Sequence, residues 1–427
     1  MYRIQKVLKA RMGQCHKEIL YALIIMLTSF NFGFIISYPS PVLPYYTSKW
    51  NIQPLHATAF NAISSLTACF GTYLNTFLFK FVGRKIVAFI ISIFTMISWG
   101  LLFLISEKRF WVGIVARGLL GISLGASSSL APLYLSEIAP PEQKGFYGSF
   151  NAEGIIMSIM TMFEFSDYFE PWVLNIVGMA PCFLQACLIW FVPETNSPQM
   201  FKEEGQNTIR ESFCQMKNIK VFAIALSAIV VQQLTAPNAI LTNLNSLIVE
   251  AKVPIKPGMA GSIIMGGQLI SIFASSALVD KLGRRLMWLL SGIFTCVTLA
   301  VYGVNIKFKW SPFIALVMIF LYQLAFGIAI GPMPWYLAPQ MVPSAFSSLA
   351  ASLNSTINWF LSFGTIFVYE PLNKAMGEFG SFILFASVAL LGGIYGFFAF
   401  KESGTKENSD EADYQPQVDT DALEGYL

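Results

Sequence analysis

Charge is scarce in this chain. Only 12% of its 427 residues are Asp, Glu, Lys or Arg, whereas soluble domains carry about 25%. With 55% hydrophobic residues, this excludes an ordinary water-soluble globular domain. Histidine is nearly absent: His16 and His56 are the only two, and neither has nucleophile–base spacing. A hydrolytic enzyme is not expected. Cysteines are few, at 15, 69, 182, 187, 214 and 296, with no metal-like spacing, so neither a metal site nor disulfides are expected. There is no G-x-x-x-x-G-K-[ST] loop to cradle a nucleotide, so the chain is not itself an ATP-driven pump. The first 18 residues carry five cations, but no small-residue cleavage site follows the first apolar segment. That segment is read as retained.

What the chain has is apolar length. A spanning helix takes about 20 apolar residues, and twelve stretches qualify, near 19–43, 57–79, 86–106, 110–135, 147–167, 172–192, 221–247, 259–279, 286–306, 312–337, 347–369 and 379–400. With the N-terminus in the cytosol, the cytoplasmic segments hold 18 Lys and Arg and the outer loops hold 8. This asymmetry sets both termini inside. Residues 1–18 read as a cytoplasmic N-terminal tail, 19–192 as a six-helix half, 193–220 as a short cytoplasmic linker and 221–400 as a second half. Residues 401–427 form an acidic tail with too little apolar surface to fold. The expected class is an all-α membrane protein of twelve spans in two six-helix halves.

The halves repeat. Gly83-Arg84-Lys85 follows span 2, and Gly283-Arg284-Arg285 follows span 8, an offset of 200. Two similar halves argue for a transporter with its site between them. The duplicated turns place cations at cytoplasmic helix ends, where they can tie neighbouring ends by charge-assisted hydrogen bonds. Between them, RGLLGISLGASSSLAPLYLSEIAPPEQKG (117–145) offers Gly118, Gly121 and Gly125 for close helix packing, with Glu137 near the cationic turns.

One stretch is unlike the rest. QQLTAPNAILTNLN (232–245) puts carboxamides and Pro237 inside an apolar run. Amides in hydrocarbon need partners, and proline removes a backbone donor. The residues fit equally a substrate path with a hinge and a polar helix–helix contact. Pro332 and Pro334 interrupt span 10 in the same way, and the two breaks are read as a pair of bending gates.

The ordered pieces FVGRK (81–85), the 117–145 block, VPET (192–195), QQLTAPNA (232–239), DKLGRR (280–285), GPMPW (331–335), Asn358-Trp359 and KESGTK (401–406) resemble the sugar porter family of the major facilitator superfamily. SPVLP at the end of span 1 and the glutamine in span 8 look most like the arthropod facilitated trehalose transporter branch. The resemblance implies facilitative sugar transport by alternating access, with sugar bound by Gln232, Gln233, Asn238, Gln268, Trp335, Asn358 and Trp359. Neutral amides and indoles suit hydroxyls and C–H faces. It implies a cytoplasmic charge network of Gly83, Arg84, Lys85, Arg117, Glu137, Lys144, Glu194, Asp280, Gly283, Arg284 and Arg285. The implied partners are a small-molecule sugar and the lipid bilayer, with no nucleic acid, no cofactor and, by location, the plasma membrane.

The sequence departs from the family at several points. The acid that proton-coupled relatives carry in span 1 is Ile35, which favours uniport. Glu153 in span 5 keeps a proton-coupled alternative open, because an intramembrane acid is a functional candidate. Lys80, Ala152, Val173, Gln340, Ser347 and Lys401 replace residues of the family's network or site, and the span 7 Gly-Ile pair reads Ala236-Pro237. The losses predict a weakened cytoplasmic network and low sugar affinity. They also keep open a sugar-porter-like sensor and a carrier of another small polar solute.

Overall fold

The computed structural model describes residues 2–79, 81–140, 143–195, 216–342 and 347–400; the side chains of 2–16, 144, 145, 216–218, 276, 277, 279, 280, 339, 347 and 348 fall outside the description. The acidic tail, most of the linker, and the side chains of Lys80, Lys144, Asp280, Ser347 and Lys401 therefore lie outside the described residues.

All regular elements described are helical. In chain order they are α1 (Tyr2–Ser37), α2 (Pro39–Lys49), α3 (Pro54–Leu78), α4 (Arg84–Leu101), α5 (Phe110–Ile138), α6 (Lys144–Ser166) and α7 (Pro171–Leu188). The chain resumes with α8 (Met216–Leu234), α9 (Pro237–Thr242), α10 (Leu244–Glu250), α11 (Pro257–Leu282), α12 (Arg284–Phe308), α13 (Pro312–Ile328), α14 (Met333–Met341) and α15 (Ser347–Ala399). Among the described residues, nine stretches are long and apolar enough to cross a membrane. One of them, 51 residues long, contains Gly377 at φ 74°, where two helices meet. Large apolar side chains cover the outside of the bundle, with Phe70, Trp111, Phe191, Leu391 and Phe398 all more than 60% exposed. Such a surface is costly in water and favourable in lipid.

α1 begins at Tyr2, so the segment read as a cytoplasmic N-terminal tail is helical and runs on into the first apolar span, which starts at Lys17. Residues 2–18 contain no proline or helix-stopping cap, and nothing in them breaks the ladder.

Small residues bring backbones together. A Cβ on Gly121 would run into the Ser64 carbonyl oxygen, and one on Gly125 would lie 2.9 Å from the Ala68 Cα. α5 therefore packs against α3 at a distance only glycine allows. Gly118, also expected to do this, keeps room for a Cβ.

α3 and α15 are joined differently, by polar side chains along an antiparallel seam. Thr58 Oγ1 donates to Glu370 at 3.2 Å, Ser362 Oγ to Ser65 Oγ at 3.1 Å, and the Thr72 and Ser355 hydroxyls are hydrogen-bonded at 3.2 Å. The ties recur roughly every seven residues, the spacing that returns to one helix face after two turns. Tyr73 adds a bond to Thr356. In an apolar medium such bonds hold helices without a hydrophobic drive.

Candidate functional site

The helix path breaks where the carboxamides lie. α8 ends at Leu234, and Ala236 takes the left-handed conformation, φ 56° and ψ 41°. Pro237 then opens α9, a position where its missing N–H costs nothing. The family's glycine would enter this conformation freely; alanine pays about 1 kcal/mol or more. α13 stops at Ile328 and the chain restarts at Met333, with Pro332 just before the new helix and Pro334 in its first turn. The span 10 break thus falls at 329–332, and the prolines begin α14.

The two breaks meet. Gln232 Nε2 donates to the Ile330 carbonyl at 3.0 Å and also to that of Gly331. These are backbone acceptors freed by the end of α13. Gln233 Nε2 donates to Asn358 Oδ1 at 2.5 Å and to Gln232 Oε1 at 3.3 Å. Asn238 Nδ2 donates to Gln233 Oε1 at 3.3 Å and to Ser362 Oγ at 2.9 Å. Gln232, Gln233 and Asn358 are buried. Four of the seven sugar-site candidates thus form one neutral hydrogen-bonded cluster. Its 3.3 Å bonds are longer than the usual range, so a hydroxyl can replace them at small cost.

Trp359 stands beside Asn358. It is buried, its ring lies 5.6 Å from that of Phe32 on α1, and its Nε1–H has no acceptor among the described residues. A buried donor without a partner costs about 1–3 kcal/mol, which a ligand oxygen would recover. Trp335 and Gln268 are not joined to the cluster by any hydrogen bond described. Trp335 is 38% exposed on α14, and Gln268 packs near Gly327 of α13.

Ser362 and Ser65 were missed from the sequence. Ser362 could have been found, because it lies one turn after Asn358 on the same face. Ser65 comes from α3, and no spacing in the chain connects it to residue 362.

The charge network is built at the other end of the helices. Arg84 Nη2 and Glu137 Oε1 form an ion pair at 3.1 Å, and Arg84 stacks on Phe79 at 3.9 Å. Thr195 donates to Glu137 at 2.5 Å. Glu194 sits over the start of α4, accepting the Lys85 N–H at 3.3 Å where Gly83 leaves no side chain in its way. A carboxylate there complements the helix dipole. In the second repeat, Arg284 Nη2 donates to Gln340 Oε1 at 2.8 Å and Arg285 Nε to the Phe400 carbonyl at 2.5 Å. The geometry of the duplicate survives at Gln340, but as a hydrogen bond to a neutral amide.

Arg117 is apart from this network. It is fully buried on α5, and Nε, Nη1 and Nη2 donate to the Phe60 carbonyl, the Ile35 carbonyl and Ser64 Oγ. All three acceptors are neutral. Among the described residues no carboxylate pairs with it. Glu153, half-buried on α6, has no hydrogen bond or ion pair among the described residues.

A multi-pass helical bundle with broken helices and a neutral polar cluster at the breaks is a membrane carrier in its class. Residues 21–206 and 196–409 match the family model described as Sugar (and other) transporter. The chain belongs to that family, whose members are transporters and not enzymes. It is 25% identical over 417 residues to Sugar transporter ERD6-like 6 of Arabidopsis thaliana, covering 86% of this chain and 84% of that one. It is 24% identical over 445 residues to Facilitated trehalose transporter Tret1 of Aedes aegypti, covering 92% of this chain and 54% of that one. The bovine (Bos taurus) Solute carrier family 2, facilitated glucose transporter member 8, is 24% identical over 430 residues, with 86% and 87% covered. Its fold matches the inward open conformation of the xylose transporter XylE from E. coli at TM-score 0.77 and 18% identity, covering 91% of this chain and 98% of that one.

Proposed function

We propose that this protein is a facilitative sugar carrier of the plasma membrane. On this reading the chain makes twelve spans in two six-helix halves, and the excess of Lys and Arg in the inner segments supports both termini in the cytosol. Arg84, Glu137 and Arg284 then mark the inner side, and Trp50, Asp167 and Glu370 the outer side. The observation that carries the reading is the cluster of Gln232, Gln233, Asn238 and Asn358 at the point where spans 7 and 10 both break. Its donors and acceptors are neutral, turn toward one another, and can exchange for sugar hydroxyls. Trp359 offers a ring face and an N–H that has no acceptor among the described residues. Relatives named for trehalose and glucose transport support trehalose or a hexose as the substrate.

A cavity of about 410 Å³ opens on the outer side, bordered by Ser40, Thr47, Thr242, Asn243 and Glu370. Thr242 lies one helical turn beyond Asn238, so the cavity continues the sugar path outward. Bending at Ala236-Pro237 and at 329–332 would open or close that path as the halves rock.

Uniport is supported by the surroundings of Arg117. A proton-coupled cycle needs an acid that gains and loses a proton during turnover, and among the described residues Arg117 meets only neutral acceptors, with Ile35 contributing its backbone carbonyl. The second reading is symport through Glu153, favoured by its half-buried place on α6 with no hydrogen bond or ion pair among the described residues. The test is uptake of labelled glucose and trehalose into proteoliposomes with and without an imposed proton gradient. Saturable uptake that ignores the gradient supports uniport. Uptake driven by it moves the function to Glu153, and no uptake by folded protein favours a sensor or another solute.

A further inference from the structure

We infer that Asp167 is the outer gating residue of this carrier, a carboxylate that one half lends to a helix of the other. α11 opens the second half's span 8 at Pro257, and the residue before it is Lys256. The Ala260 N–H bonds to the Lys256 carbonyl, so Lys256 occupies the N-cap position. A lysine side chain has no acceptor, so this helix cannot cap itself. The free N–H groups of its first turn are taken instead by Asp167, at the end of α6. Gly258 N donates to Oδ1 at 2.8 Å and Met259 N to Oδ2 at 2.6 Å. Both carboxylate oxygens are used, and the charge faces the positive end of the helix dipole.

The surroundings show that this contact is built for closeness. A Cβ on Gly258 would lie 2.8 Å from Asp167 Cγ and would run into the Phe163 carbonyl oxygen. Gly261 lies against the Phe163 ring, where a Cβ would come within 2.9 Å. Ser262 Oγ donates to the Met160 carbonyl at 2.9 Å. The Lys256 ammonium sits 4.0 Å from the centre of the Tyr168 ring. The ties run from 160 to 168 on one side and from 256 to 262 on the other, about two turns of helix. Among the described side chains, which leave out 144, 145, 276, 277, 279 and 280 at the inner end, they lie at the outer end of the α6–α11 seam. By contrast, the α3–α15 seam carries its bonds along its length.

This asymmetry assigns two tasks. The α3–α15 seam stays zipped and acts as the pivot, while the outer α6–α11 contact closes and opens. When the outer side opens, Asp167 must leave Gly258 and Met259, and the two N–H groups pass to water. The closed state is favoured by the bonds lost. Their loss in a variant shifts the population toward outward opening. The inference rests on the alternating-access reading and on the assignment of this end to the outside.

The test uses the full-length protein in right-side-out vesicles, with Ser262→Cys as reporter and an impermeant maleimide added outside. Labelling of protein without the reporter is subtracted. The reporter is buried in the closed seam. Adding Asp167→Ala is expected to raise its labelling rate at least about fivefold, the lower end of ordinary coupling between states. Gly258→Ala, which pries the same seam apart and keeps the carboxylate, is expected to raise it too. Unchanged labelling in both variants, with each eluting as a folded monodisperse protein, would overturn the assignment. The labelling needs no substrate. If wild-type protein takes up no sugar, the transport reading fails while the gate is still read.

Discussion

Gln233 and Asn358 are 125 residues apart in sequence, yet Nε2 of one lies 2.5 Å from Oδ1 of the other. The contact joins the broken span 7 to span 11 and leaves each amide with capacity for a ligand. Replacing either residue by Ala strands a buried partner, at a cost of about 1–3 kcal/mol. For a sugar bound through these amides, Gln233→Ala and Asn358→Ala are each expected to raise the KM of uptake about tenfold. Initial rates over a range of sugar concentrations check this; an unchanged KM in both places the sugar elsewhere.

Ala236 is expected to be a site of stored strain. Its φ of 56° suits glycine, and Ala236→Gly is expected to stabilise the protein by about 0.5–1 kcal/mol despite the added freedom of the unfolded chain. Thermal unfolding in detergent reads the sign. Pro237→Ala acts on the other side of the same break: it lets a helical N–H form and is expected to slow transport by making the hinge less free to bend.

Gln340 occupies a place where the geometry of an ion pair survives without the charge. Gln340→Glu is expected to turn this 2.8 Å contact with Arg284 Nη2 into an ion pair. The pair is exposed, so the gain in stability is at most about 1 kcal/mol. Glu137→Ala is the opposite experiment. It breaks the pair with Arg84, whose side chain is 4% exposed, and strands Thr195. The cost is expected toward the lower end of about 3–5 kcal/mol. Comparing the two unfolding midpoints tests whether the first repeat holds the inner end more firmly than the second.

Ile35 is the position where charge chemistry could be added. Its carbonyl already receives Arg117 Nη1, so an acidic side chain there would sit beside a buried cation. Ile35→Asp is expected to make sugar uptake respond to an imposed proton gradient. Uptake that remains blind to the gradient in a folded Ile35→Asp protein argues that Arg117 is a purely structural donor.

The sequence was most legible where local chemistry decides. Apolar length marked the helices, Pro237 marked the break at 235–237, and the repeated Gly-Arg turns marked the starts of α4 and α12. Gln232, Gln233, Asn238 and Asn358 were legible through the family resemblance, although the residues alone left a polar packing role equally open. What was not legible depends on long-range approach. Nothing near Asp167 in the chain announces that Gly258 and Met259 will need its oxygens. The seam from Thr58 to Thr72 pairs with 355–370 only once both helices are placed. Trp335 and Gln268 show the converse: residues matched by motif that the fold leaves without a bond to the cluster.

The most direct test of the central claim is sugar uptake by wild-type protein and by the Gln232→Ala, Asn238→Ala double variant in the same proteoliposomes. The account predicts saturable uptake of glucose or trehalose by the wild type and its loss in the variant, with both proteins folded. Equal uptake by the two would contradict the placement of the sugar at the carboxamide cluster.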